Sequence, residues 1–163
     1  MRIREAKKED LEGMVRVGID CFPNDFSSNN RPTEDNARKW FEERYNSNTF
    51  GRYQVAEVEG KIVGYVFHMM IGGTSGVVQL EQIGVHSNHR MKGIGNKLIS
   101  ESEKFWKEYL QEEFELPLYK MLLTTSVIND KGQNLYAKNG FKYSTTMEDI
   151  YWGHDEEIWI KEF

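Results

Sequence analysis

At 163 residues, 39% hydrophobic and 13% aromatic, the chain is long enough to bury the core of one compact domain spanning 1–163. Acidic residues outnumber basic ones 26 to 21, and the formal charge of -5 removes the positive field that would draw in a phosphate backbone, so nucleic acid is not an expected partner. No apolar run of about 18 residues and no leading apolar region occurs, which predicts no membrane span and a cytoplasmic protein, while the single cysteine, Cys21, excludes an internal disulfide and a cysteine metal knuckle.

Met1 to Ala6 reads as a strand, and Lys8 to Cys21 as a helix with Leu11, Met14, Val15 and Ile19 on one face and Asp10 placed to cap it. Residues 22–35, FPNDFSSNNRPTED, are turn-formers and predict a long loop. A second helix follows, with Ala37, Trp40, Phe41 and Tyr45 inward. Tyr53 to Val58 and Lys61 to Met70 are β-rich runs on either side of Glu59-Gly60, a hairpin signal. After GGTSG comes VVQLEQIGV, where the alternation slips: Val78 and Leu80 set one phase, Ile83 and Val85 the other. A β-bulge near Glu81 to Gly84 is the expected cause.

Gly95 to Leu110 predicts a helix with Leu98, Ser102, Phe105 and Tyr109 in one stripe, and QEEFELP an acidic, solvated linker that includes Glu112, Glu113 and Glu115. MLLTTSV, 121–127, suits a strand buried on both faces. Asn129 or Asp130 caps a short helix ending at Gly140, and Tyr143 to Trp152 and Glu157 to Phe163 are the closing strands.

The stretch HRMKGIGNKLI, 89–99, sits between the third of these strands and a helix. Glycines allow close approach of backbone to ligand, successive N–H groups point into the turn, and the helix N-terminus lies beneath, which together make an anion site suited to a diphosphate. A dinucleotide fingerprint needs a third glycine where Leu98 stands, and a P-loop needs Ser or Thr after its lysine where Lys97 precedes Leu98. Neither pattern is met.

Arg90, Gly93 and Gly95 do match Arg-x-x-Gly-x-Gly, and VINDKGQNLYAKNGF, 127–141, supplies a second strand-to-helix segment ending in Tyr-x-x-x-Gly-Phe. With this order of elements from Met1 to Phe163, the chain resembles the GNAT superfamily of acyl-CoA-dependent N-acyltransferases. Ser87 and Met91 stand where many members have proline and glycine, so the backbone at 91 must accept a Cβ. The resemblance implies an α/β (α+β) fold, a mixed six- to seven-stranded sheet flanked by about four helices. It implies that Arg90, Met91, Lys92, Gly93, Ile94, Gly95 and Asn96 hold the coenzyme A pyrophosphate, that the main chain of Ile83 and Val85 with Asn129 holds the pantetheine arm, and that Tyr136 stands beside the sulfur.

The reaction implied is transfer of acetyl from acetyl-CoA to a primary amine of a small molecule or protein, by direct attack in a ternary complex. Such an amine is mostly protonated at neutral pH and needs a base, for which Glu81 is the first candidate, with His154 or Glu148 acting through water as substitutes. Each assignment has a plainer reading: Glu81 facing solvent from a half-exposed sheet, Tyr136 as a core aromatic, Asn129 as a helix cap. Glu148, Asp149, Asp155, Glu156 and Glu157, interleaved with Tyr151, Trp152 and Trp159, either line a wall for a cationic acceptor or are ordinary surface charge. The four histidines, His68, His86, His89 and His154, lack metal-ligand spacing, so no metal is expected. The alternative function is a coenzyme A-binding sensor or interaction domain without catalysis, and monomer and homodimer both remain open.

Overall fold

The computed structural model describes residues 1–23, 27–28, 31–47, 51–73, 75–151 and 153–163; residues 24–26 and 29–30 of the expected long loop, and Trp152, lie outside the described residues. The strands are β1 (Arg2–Glu5), β2 (Ser27–Ser28), β3 (Arg31–Pro32), β4 (Gly51–Val58), β5 (Lys61–Ile71), β6 (Val77–Val85), β7 (Lys120–Ser126), β8 (Lys142–Tyr151) and β9 (His154–Glu162). The helices are α1 (Leu11–Cys21), α2 (Glu34–Ser47), α3 (Ile94–Phe114) and α4 (Asp130–Lys138). Seven strands form one mixed sheet, within the six to seven expected, in the order β1-β4-β5-β6-β7-β9-β8, and β2 pairs with β3 inside the segment read as loop. Among the described residues no helix is long and apolar enough to cross a membrane.

Local chemistry explains most boundaries. Glu59 and Gly60 both have positive φ, 51° and 74°, the geometry that a two-residue hairpin turn demands. Asp10 does not cap α1 as anticipated. Its buried carboxylate instead takes a bidentate bond from Arg4, at 2.6 and 2.9 Å, and closes the preceding 3-10 turn by accepting from the Lys7 N–H at 2.7 Å. The acidic linker is also shorter than expected, because nothing in Gln111 to Phe114 breaks a helix; α3 continues until Glu115 turns left-handed at φ 54°.

Residues gather into two compact units, Met1–Phe67 with Gln82–Glu101, and His68–Glu81 with Ser102–Phe163. In the first, Met14, Val15 and Val17 of α1 and Ala37 and Phe41 of α2 are buried with Tyr53, Val55, Tyr65 and Phe67 of the sheet. Phe41 meets Tyr65 edge-on at 5.1 Å and Tyr53 stacks on Phe67 at 4.3 Å, which adds directional preference to side chains each stabilised by about 1.5–3 kcal/mol on burial.

The second unit buries Trp106 and Leu110 of α3 with Met121 and Leu123 of β7 and Phe141 after α4. β7 lies between β6 and β9, yet its ladders are unequal. The parallel ladder to β6 covers only Val77–Gln79 against Lys120–Leu122, whereas the antiparallel ladder to β9 runs the full length from Lys120 to Ser126.

His68, on β5, is fully buried in this unit, edge-on to Trp106 at 6.3 Å, and neither ring nitrogen has a hydrogen-bond partner among the described residues. Burial pushes its pKa down from 6.5 to about 3. The folded state therefore stays neutral while the unfolded state takes a proton, so stability is full above 6.5 and is lost as pH falls towards 3. Wild-type protein should lose about 2 kcal/mol of unfolding free energy between pH 7.5 and 5 from this residue. Urea melts of wild type and His68→Leu at both pH values check this; an equally steep pH dependence in the variant contradicts it.

Candidate functional site

The strand-to-helix connection after β6 is built by the first unit. Gly84, rather than a larger residue, occupies a buried position of β6 because a Cβ there would lie 3.2 Å from the Cys21 sulfur and 3.3 Å from the rings of Phe22 and Tyr65. Buried positions keep one parity along the strand, Val78, Leu80 and Gly84, with Ile83 and Val85 half-buried on the alternate phase. The apolar slip in the sequence thus has a packing cause: the end of α1 comes too close for a side chain at 84.

Beyond Val85, Asp20 at the end of α1 fixes the turn. Its carboxylate accepts from the Ser87 N–H at 2.7 Å, the Ser87 hydroxyl at 2.8 Å and the Arg90 guanidinium at 3.0 Å. Burial alone would raise the Asp20 pKa, but the two Ser87 bonds, with His86 and Arg90, bring it below the usual carboxylate value. Arg90 is braced rather than extended. Its Nε donates to the Val85 carbonyl at 2.8 Å, where the Cys21 thiol also donates at 3.3 Å. Sequence reasoning missed Asp20, since nothing in its spacing connects it to a segment 67 residues away.

The turn itself is open. The backbone N–H groups of Met91, Lys92, Gly93, Ile94 and Gly95 have no acceptor among the described residues, and the first helical bond runs from Lys97 N–H to the Gly93 carbonyl at 3.1 Å. Met91 and Gly93 have φ of 59° and 77°, which turns successive amides outward, and a Cβ on Gly93 would meet nothing within 4 Å. Met91 therefore carries its Cβ in a left-handed conformation, with its side chain fully exposed. Lys92 sits over the turn, donating to the Asn88 carbonyl at 3.1 Å, and Asn96 and Lys97 are exposed on the first turn of α3. Five free donors, a lysine and the positive end of a 21-residue helix make a site for a multiply charged anion. The residues present fit a pyrophosphate.

The remaining predicted residues belong to the second unit. Glu81, on β6, is exposed and has no hydrogen bond or ion pair among the described residues. Asn129 is the N-cap of α4: its side-chain oxygen accepts from the Gly132 N–H at 3.1 Å while its amide donates to the Thr125 hydroxyl at 2.9 Å. Tyr136 is buried at 7% exposure beside Phe141, at 6.2 Å between rings, and its hydroxyl has no hydrogen-bond partner among the described residues. Burial, and then the charge of Glu156 on β9, push its pKa up to about 12. His154 and Glu148 are exposed.

Residues 49–143 match the model of the acetyltransferase (GNAT) domain family. An N-alpha-acetyltransferase of Sulfurisphaera tokodaii is 27% identical over 159 residues, covering 92% of this chain and 85% of that protein. Among solved structures, a ribosomal-protein-alanine N-acetyltransferase from Brucella melitensis superposes with a TM-score of 0.75 at 24% identity, covering 100% of both chains. A spermidine N-acetyltransferase variant from Vibrio cholerae gives 0.77 at 19%, covering 99% of this chain and 95% of its own. An N-acetyltransferase from Thermoplasma acidophilum, solved in complex with coenzyme A, gives 0.70 at 21%, covering 99% and 98%. These structural likenesses are likenesses of fold.

If Asp20 holds the turn, Asp20→Ala removes a charged acceptor shared by three donors and should destabilise by about 1.5–3 kcal/mol. Amide hydrogen exchange should report it as faster exchange at Ser87 with little change at Val55, in the core of the same unit; unchanged Ser87 protection contradicts it.

Proposed function

The chain belongs to the GNAT acetyltransferase family, and from that premise we propose that it transfers acetyl from acetyl-CoA to a primary amine by direct attack in a ternary complex. The observation that carries this is the row of five main-chain donors from Met91 to Gly95 that have no acceptor among the described residues, next to a turn that Asp20 ties at Ser87 and Arg90. A pyrophosphate offers those donors the acceptors they lack.

In this reading Met91 to Asn96 and Lys92 hold the pyrophosphate, and Arg90 acts mainly as the brace that keeps Val85 and the turn in register. The pantetheine arm pairs with main chain of β6. The Val85 carbonyl already accepts from Arg90 and Cys21, which leaves Ile83 as the carbonyl of that pair able to accept. Asn129 reaches the arm as the same residue that caps α4, through whatever capacity its two structural bonds leave. The short β6 ladder on β7 supports an edge able to accept an added extended segment.

Acetyl-CoA supplies the activated thioester; the chain must position the amine, take its proton and ease departure of the sulfur. Tyr136 serves the last need as a hydrogen-bond donor. With its pKa near 12, full proton transfer to a thiolate of ordinary pKa about 8.5 is uphill by roughly 5 kcal/mol, so the hydroxyl stabilises the sulfur without giving up its proton early. The acceptor class is supported by what named relatives share: an N-alpha-acetyltransferase, a ribosomal-protein-alanine N-acetyltransferase and a spermidine N-acetyltransferase all act at aliphatic primary amines.

Acetyl-CoA-dependent thiol release across peptides with free α-amino groups, polyamines and amino acids tests the reading. Turnover with at least one class is expected, and Tyr136→Phe should lower kcat roughly tenfold or more while leaving acetyl-CoA affinity nearly unchanged. Absence of calorimetric heat with acetyl-CoA overturns the proposal, and tight binding without turnover across the panel transfers it to the non-catalytic binding module.

A further inference from the structure

Among the described residues four other than glycine have positive φ, and three of them, Glu59, Glu115 and Asp149, are acidic. Met91, at φ 59°, is the fourth and the only apolar one. It is also the most exposed large hydrophobic side chain among the described residues. A left-handed backbone disfavours any residue with a Cβ, and an apolar side chain left in water gains nothing from burial. Neither cost is offset within the protein, because full exposure leaves the side chain no protein surface to pack on.

Gly93, two residues further on, has the same handedness at φ 77°, and a Cβ there would meet nothing within 4 Å. Glycine is the strain-free choice at both positions, and the chain uses it at one. The rest of the turn presents a polar surface: Ser87, Asn88, Arg90, Lys92 and Asn96 are exposed, whereas Ile94 is buried. Met91 is thus the one exposed apolar side chain between Ser87 and Asn96, on a turn whose main-chain donors suit a multiply charged anion.

We propose that the Met91 side chain covers the purine ring of the coenzyme A nucleoside. The inference rests on the acetyltransferase reading, in which the donors from Met91 to Gly95 hold the pyrophosphate and the arm runs back along β6. A pyrophosphate has two ester ends. With the arm on one, the nucleoside leaves from the other, on the side of the turn away from β6, and its flat apolar face meets water unless a side chain covers it. Met91 is the first of the five donors, so its N–H serves the anion while its side chain stands in solvent at the edge of the site.

A thioether on a flexible stem suits this task, since it is polarisable, packs on aromatic rings and adapts to their tilt. Arg90 is committed elsewhere, bonded to Asp20 at 3.0 Å and to the Val85 carbonyl at 2.8 Å. Lys92 is bonded to the Asn88 carbonyl at 3.1 Å and brings charge, which suits phosphate rather than an apolar ring face. Covering the base buries the Met91 side chain at the same time, which offsets the exposure and strain that the protein alone leaves standing.

The test reads the ligand part by part, using the full chain and calorimetry. Coenzyme A carries arm, pyrophosphate and nucleoside; ADP lacks the arm, and 4′-phosphopantetheine lacks the nucleoside. Met91→Ala keeps the Cβ and should weaken coenzyme A and ADP about three- to tenfold, ADP being read by displacement of coenzyme A, while 4′-phosphopantetheine stays within about twofold of wild type. Met91→Leu, apolar and of similar size, should stay within about twofold for all three. A readout on wild type is the methionine methyl spectrum of protein labelled with carbon-13 at those methyls. The Met91 signal, identified by its loss in Met91→Leu, should be displaced by the ring current of bound ADP and far less by 4′-phosphopantetheine. Equal weakening of all three ligands in Met91→Ala assigns the residue to turn shape and overturns the proposal, as does unchanged affinity for ADP or a Met91 signal that ADP leaves in place. Wild type that gives no heat with coenzyme A overturns the acetyltransferase reading itself, and is recognised before any variant is made.

Discussion

Five main-chain N–H groups that point out of a turn and find no acceptor among the described residues set the terms for the first unit. Leaving them so costs stability, and the fold holds them with a carboxylate from another segment: Asp20 ties Ser87 and Arg90 to the end of α1, and Arg90 in turn covers the Val85 carbonyl. Strain is added at Met91, a residue with a Cβ in a left-handed conformation. A turn so heavily braced keeps its shape through protein contacts alone.

The second unit shows the same logic in side chains. Asn129 is spent on both sides, capping α4 and binding Thr125, and Asp155 and Glu157 complete structural bonds. The Tyr136 hydroxyl has no hydrogen-bond partner among the described residues. Satisfied polar groups stabilise a fold, and unsatisfied ones mark where a ligand completes it.

His68 is the exception that fits neither pattern. It lies against Trp106 with both ring nitrogens unpartnered among the described residues. Burial of a neutral imidazole makes this unit acid-sensitive.

Much of this was legible in the residues. Alternation and turn chemistry located the Glu59-Gly60 hairpin, because these are nearest-neighbour properties of the backbone, whereas the mixed sheet was expected only from the family resemblance. The left-handed turn at Gly93 and the helix start beside it were legible for the same reason: local φ and the helix start depend on local sequence. Less was legible where distant segments decide. Asp10 looked like a helix cap and is Arg4's partner; the close approach of Cys21 and Phe22 to Gly84, and the bond from Arg90 to Asp20, join segments that no local spacing connects. Asp155 and Glu157 were two of five acids of equal standing until hydrogen bonding gave them structural tasks. The sequence by itself determined which local backbone shapes form, since those follow from each residue's own conformational limits. Only tertiary structure decided which polar groups are already satisfied, because a side chain's partners are chosen by packing between segments far apart in the chain.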